Sequence, residues 1–162
     1  MQQEKYIIGI DGGGTNHSDD IRLGLTPGVT ADNYYPVINR GLHEIEKSLK
    51  LNIKIAAHPK SNFEISQKKY NHPIFENKTF ELIRDADIVV SHNSTSLQWA
   101  IIMKKPIILV KTDEIENASY AKNLKNSIDE FAVILGKRVV NLSQLSSVNN
   151  WKDYLNVDDE KY

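Results

Sequence analysis

Asp87-Ile88-Val89-Val90-Ser91-His92-Asn93-Ser94-Thr95-Ser96 is a short β-branched run that gives way, without a spacer, to a polar cluster. Three consecutive residues of this kind, Ile88 to Val90, apolar on both faces and bounded by polar neighbours, predict a fully buried strand. The cluster leads into Leu97 to Met103, so Ser94 to Lys105 reads as a helix that Pro106 ends. Pro106 to Val110 is the next apolar run, with proline at the first strand residue, where its missing N–H is tolerated. Strand, polar turn, helix and strand in this order are one βαβ unit, and such a unit implies parallel pairing.

The same alternation extends to both ends. Tyr6 to Ile10 is a strand that stops at Asp11 and three glycines, and a polar, Gly-rich loop follows to about Ala31. Tyr34, Ile38, Leu42, Ile45 and Leu49 then form one helical stripe, with Asp32 as its expected cap and Pro36 in or near the first turn. Gly41 within that helix costs some stability. Asn52 to Ala57 is a strand closed by His58-Pro59. After a loop come a short helix from Thr79 to Asp85 and the strand that opened this section. Ile115 to Leu135 reads as one long helix with Leu124, Ile128, Phe131 and Leu135 on a face and Gly136 at C′. Lys137 to Leu142 is a last, short strand. Strands apolar on both faces, each separated by a helix, predict an α/β fold. This is a Rossmann-like open parallel sheet of about five strands with helices on both faces.

Length fits a single domain, residues 1–162. A net charge of −1 argues against a dedicated nucleic-acid binder, which would carry a basic face. The chain has no cysteine, which excludes disulfides, thiolate metal sites and cysteine nucleophiles, and fits a cytoplasmic location. Met1 to Lys5 is polar, the apolar run after it is too short for a signal core, and no stretch is long enough for a membrane span. Val157 to Glu160 has the acids of a helix start just before the sequence stops, so the chain is expected to be a piece of a longer, two-domain protein.

In a parallel sheet every carboxyl end lies on one edge, and ligands collect there. The peptides leaving those ends are 11–16, 58–61, 91–96 and 111–114, and all are polar. The serine cluster presents free N–H groups and hydroxyls at a helix start. Ser91, Asn93, Ser94, Thr95 and Ser96 are therefore candidate phosphate ligands, although Asn93 or Ser94 as a plain helix cap is the simpler alternative. His58 leaves the neighbouring strand over the same edge, with Pro59 fixing the turn, and its imidazole can donate to a phosphate oxygen. Gly12 and Gly13 let backbone approach such a group closely. The five histidines show no metal-binding spacing, and no metal is expected. Lys111 is a further possible phosphate partner, and Asp113 and Glu114 could meet a ribose.

Two resemblances bear on function. Ile8 to Asn16, with Asp11-Gly12-Gly13-Gly14-Thr15 at its centre, resembles the first phosphate loop of the sugar-kinase and actin-like superfamily. That loop turns a hairpin into another strand, whereas Asn16 to Asp20 is wholly polar here, so a Gly-rich connection beside a ligand is preferred. Over residues 33–114 the chain resembles the nucleotide-binding half of bacterial GT-B glycosyltransferases of surface polysaccharide (capsule or lipopolysaccharide) synthesis. Ile55 to Ser61 is similar to the His-Pro motif of the sialyltransferases, and Asp85 to Ser96 with Lys105 to Leu109 is similar to their serine-rich motif.

This resemblance implies a metal-independent transfer from a nucleotide sugar, CMP- or UDP-linked, to a saccharide acceptor, with no other cofactor. His58 would stabilise the leaving phosphate, and Ser94, Thr95 and Ser96 would hold it. The acceptor site and general base would come from a preceding N-terminal domain. The alternatives are a non-catalytic binding or assembly module of a polysaccharide-synthesis system and a fragment of a sugar-kinase-like ATPase.

Overall fold

The computed structural model describes residues 4–15 and 17–162; Met1 to Gln3 and Asn16 lie outside them. Its centre is a six-stranded, wholly parallel sheet: β1 (Tyr6–Ile10), β2 (Asn52–Ala56), β3 (Ile74–Phe75), β4 (Ile88–Ser91), β5 (Ile107–Lys111) and β6 (Val139–Asn141). The spatial order is β3-β2-β1-β4-β5-β6, so β1 lies between β2 and β4, with Gly9 opposite both Ile55 and Val90. The sixth strand is β3, two residues in what reads from sequence as loop.

Alternation along each strand divides the side chains between two cores. Ile7, Ile53, Ile55, Val90, Ile108 and Val110 face one of them, whereas Ile8, Ile10, Val89, Ile107 and Leu109 face the other. The first is covered chiefly by α2 (Ala31–Leu49), whose Tyr34, Ile38, Leu42 and Ile45 are the predicted stripe. The second is covered by α4 (Thr79–Asp85) and α5 (Leu97–Ile102). The helix α7 (Lys122–Leu135) contributes Ile128 to the first core and Ala132 and Leu135 to the second.

Several boundaries differ from the sequence reading for physical reasons. The cap position of α2 is Thr30, so Asp32 sits in the first turn and acts through the helix dipole instead. Pro36 is inside this helix, where the Asp32 carbonyl loses its intrahelical donor. The expected helix from Ile115 to Leu135 is broken into α6 (Asp113–Asn117), a 3-10 turn (Ser119–Ala121) and α7. On one continuous helix Ile115 and Leu124 would point about 180° apart. The break at Ala118, which is extended, lets Ile115 be fully buried while Leu124 still packs against the same core. Two short helices, α1 (Ser18–Leu23) and α3 (Phe63–Lys69), occupy stretches without apolar periodicity. Among the described residues no helix is long and apolar enough to cross a membrane.

Candidate functional site

The winding of the sheet reverses between β1 and β4, and this opens a crevice at the carboxyl edge between them. Three turns meet there, one from β1 and one from each strand beside it. The sugar-kinase resemblance requires the β1 turn to lead into a hairpin. Instead the chain passes through α1 and α2 before β2 pairs parallel to β1, which overturns that reading.

Asp11 ends β1 and is 4% exposed. Its Oδ1 accepts from the Gly13 N–H at 3.1 Å and from the Tyr70 hydroxyl at 3.1 Å. Its Oδ2 faces the Ser61 hydroxyl at 3.4 Å and the His58 N–H at 3.5 Å. Gly13 is left-handed, with φ of 65°, and a Cβ on it would lie 3.0 Å from the His58 Cγ. Glycine is therefore required twice, for the dihedral and for the imidazole beside it. Asn16, the far end of the expected loop, lies outside the described residues.

His58 is half-buried. Its Nδ1 accepts from the Lys60 N–H at 3.1 Å, so the neutral ring carries its proton on Nε2. Burial holds its pKa below the ordinary imidazole value. The neighbouring His17, whose ring centroid is 4.9 Å away, and Lys60 add to this, and Asp11 opposes it. The imidazole is thus a neutral Nε2–H donor near neutral pH. Pro59 is exposed and shapes the turn.

On the β4 side, Ser91 is buried and lines a cavity of about 20 Å³ beneath the crevice, beside Asp11 and His92, rather than the open edge. That cavity has room for a single water. His92 is 5% exposed; its Nδ1 meets the Val110 carbonyl at 2.6 Å and its Nε2 meets the Tyr34 hydroxyl at 2.8 Å. A carbonyl only accepts, so Nδ1 is protonated and Nε2 accepts the tyrosine proton. Burial lowers the pKa of His92, which keeps this ring neutral. The Asn93 amide donates to the Ser127 hydroxyl of α7, so it braces the turn against that helix.

Ser94, Thr95 and Ser96 form a turn and not the first turn of a helix, since α5 begins at Leu97 and has six residues. The dipole of so short a helix is small, and the donors on offer are those of the turn itself. The Ser94 Oγ accepts from the Ser96 N–H at 3.2 Å. Among the described residues the N–H groups of Ser94 and Thr95 have no protein acceptor.

Gly12, Gly14, Gly28, Tyr34, His92 and Asn93 line a cavity of about 190 Å³ between the β1 and β4 turns. Val29 roofs it, with a Gly14 Cβ position only 3.1 Å from its Cγ2. The connection carrying Val29 is anchored where the Thr30 N–H and hydroxyl donate to Glu114, each at 2.8 Å. A wider cleft of about 510 Å³ opens beyond it, lined by Thr112, Asp113, Glu114, Tyr120 and Ser143. Lys111 is withdrawn from the edge by ion pairs to Glu116 and Asp129.

Parallel strand order puts the turns carrying His58, Gly12–Gly13 and Ser94–Thr95 on one sheet edge, with Gly13 against the His58 ring. Gly12 and Asn93 line the cavity between the β1 and β4 turns, Asn93 also bonding α7, and Ser91 lies beneath the crevice. Sequence reading misses Tyr70, His17 and Val29 here, and reaches Ser61 only as the end of the polar 58–61 turn. Of the missed residues, only His17, a histidine just after a glycine turn, carried a local cue.

No protein-family profile matches the sequence, and no curated protein matches it either. Among solved structures 19 chains match. One is the UDP-GlcNAc 2-epimerase of Methanocaldococcus jannaschii in complex with UDP-GlcNAc and UDP, with a TM-score of 0.52 and 16% identity. The match covers 98% of this chain and 43% of that one, so the chain spans less than half the length of this neighbour. What the two share is the fold.

Proposed function

We propose that the chain is the donor-binding domain of a glycosyltransferase of surface polysaccharide synthesis, and that its ligand is a nucleotide sugar. The observation that carries this reading is that the parallel order β2-β1-β4 puts the His58 turn and the Ser94–Thr95 turn on one sheet edge, on either side of the glycine turn whose Gly13 lies against the imidazole. An anion held there would have backbone N–H groups, hydroxyls and a neutral Nε2–H donor as partners, while the Asp11 carboxylate is buried and bonded. The likeness to a fold crystallised with UDP-GlcNAc and UDP supports the same ligand class, as do the order and spacing of the His-Pro and serine-rich motifs.

The cavity of about 190 Å³ beside the glycine turn is too small for a whole nucleotide sugar, so on this reading the ligand extends along the edge past His58 and the Ser94–Thr95 turn. In transfer, the bond between the anomeric carbon and the phosphate oxygen breaks as the acceptor hydroxyl bonds to that carbon and gives its proton to a base. Charge gathers on the departing phosphate, and the His58 Nε2–H and the turn donors stabilise it there. The base and the acceptor site belong, on this reading, to a second domain.

Calorimetric titration with UDP, CMP and ATP tests the proposal. UDP or CMP should bind, and His58→Ala should weaken that binding about 10- to 100-fold, the loss of one hydrogen bond to a charged group. Binding of ATP alone contradicts the reading, and failure of all three nucleotides returns the chain to the class of assembly modules.

A further inference from the structure

We infer that Asp11 is the positioning residue of this crevice: its buried carboxylate fixes the glycine turn against the His58–Ser61 turn and thereby sets where the His58 Nε2–H points. The inference rests on the proposed function only for what that N–H meets. The geometry stands by itself.

Each oxygen serves a different part of the edge. Oδ1 holds Gly13 and Tyr70, which come from the β1 turn and the end of α3, and Oδ2 faces the amide and the hydroxyl of the β2 turn. The Ser61 hydroxyl also lies 2.9 Å from the His58 carbonyl, which closes that turn on itself. Gly13 lies against the imidazole ring, so any shift of the glycine turn moves the ring with it. A carboxylate 4% exposed directly after the central strand β1 is costly unless its bonds are needed. Here four groups from three segments converge on it. The α2 aromatics Tyr34 and Tyr35 back this arrangement, with Tyr35 edge-on to Tyr70 at 5.2 Å.

Three charged or titratable groups act on His58: His17 across the ring, Lys60 from its own turn, and Asp11 beneath. Lys60 is itself paired with Asp19 of α1 at 2.5 Å. Of the three, Asp11 alone raises the imidazole pKa. Removing its charge should therefore lower that pKa further, an effect that mere loosening of the turn would not give.

The test is 15N NMR of the His58 ring in the free protein across pH, together with UDP titration, for wild type, Asp11→Asn and Ser61→Ala. In the wild type the neutral ring is expected as the Nε2–H tautomer. Asp11→Asn should lower the His58 pKa and weaken UDP about tenfold, and Ser61→Ala should weaken UDP less. An unchanged titration curve, tautomer and affinity in Asp11→Asn overturns the inference. Should that variant not fold, Ser61→Ala carries the comparison, and its indifference in both tautomer and affinity overturns the inference equally. If wild type binds no UDP, the functional reading fails while the NMR titration still decides the role of Asp11.

Discussion

Replacing Gly13 by alanine separates two costs that the structure allows to be measured apart. The first is the left-handed dihedral, about 1–2 kcal/mol for a residue with a Cβ. The second is contact: the new methyl would sit 3.0, 3.1 and 3.3 Å from the Cγ, Nδ1 and Cβ of His58. Gly24 supplies the control, since its φ of 63° is nearly that of Gly13 and a Cβ there meets nothing within 4 Å. Both substitutions reduce unfolded-chain entropy alike, by about 0.5–1 kcal/mol. The difference between them is therefore the contact, about 2 kcal/mol if it resembles ordinary overpacking. For a chain of 162 residues this corresponds to a Tm about 4–8 °C lower for Gly13→Ala than for Gly24→Ala in scanning calorimetry. UDP affinity should fall with Gly13→Ala and hold with Gly24→Ala. Equal melting temperatures for the two variants would refute the claim that the glycine turn lies against the imidazole.

Acid should destabilise the fold through its histidines. Burial keeps the folded His92 neutral after the unfolded chain, with its ordinary value of 6.5, has taken a proton. Its contribution is full above that pH and is lost as pH falls below it. The lowered His58 adds with the same sign. Urea midpoints should fall between pH 7.5 and 5.5, less so in His92→Asn, and a flat profile in wild type would contradict this. Tyr34→Phe leaves the buried His92 Nε2 without its donor and should cost about 1–3 kcal/mol in urea unfolding. Gly41→Ala puts a methyl 2.7 Å from the Leu142 Cδ1, so overpacking of about 1–3 kcal/mol outweighs a gain in helix propensity of about 1 kcal/mol. The expected outcome is a lower melting temperature despite the better helix former.

The parallel sheet was legible because its long strands are continuous apolar runs and its main helix carries a clean stripe. The strand β3 was not, since Ile74 and Phe75 are too few to show a period and gain their place from pairing with Ile55 and Ala56. The break before α7 was hidden because Ile115 is apolar and so continues a stripe in composition while opposing it in phase. Gly41 read as a liability in its helix, and its reason, the approach of Leu142, lies across 101 residues of chain. At the site, His58 and the serine turn could be placed on one edge because strand direction alone decides it. The grip of Asp11 on Tyr70 could not, since it depends on where α3 delivers a side chain 59 positions away.

The most direct measurement is amide chemical-shift mapping during a UDP titration. Shifts concentrated on Gly12, Gly13, Gly14, His58, Ser94 and Thr95 are what the shared crevice predicts. Saturable shifts confined elsewhere, such as the exposed Val133 and Ile134 of α7 or the amino edge around Lys5 and Lys105, would contradict it.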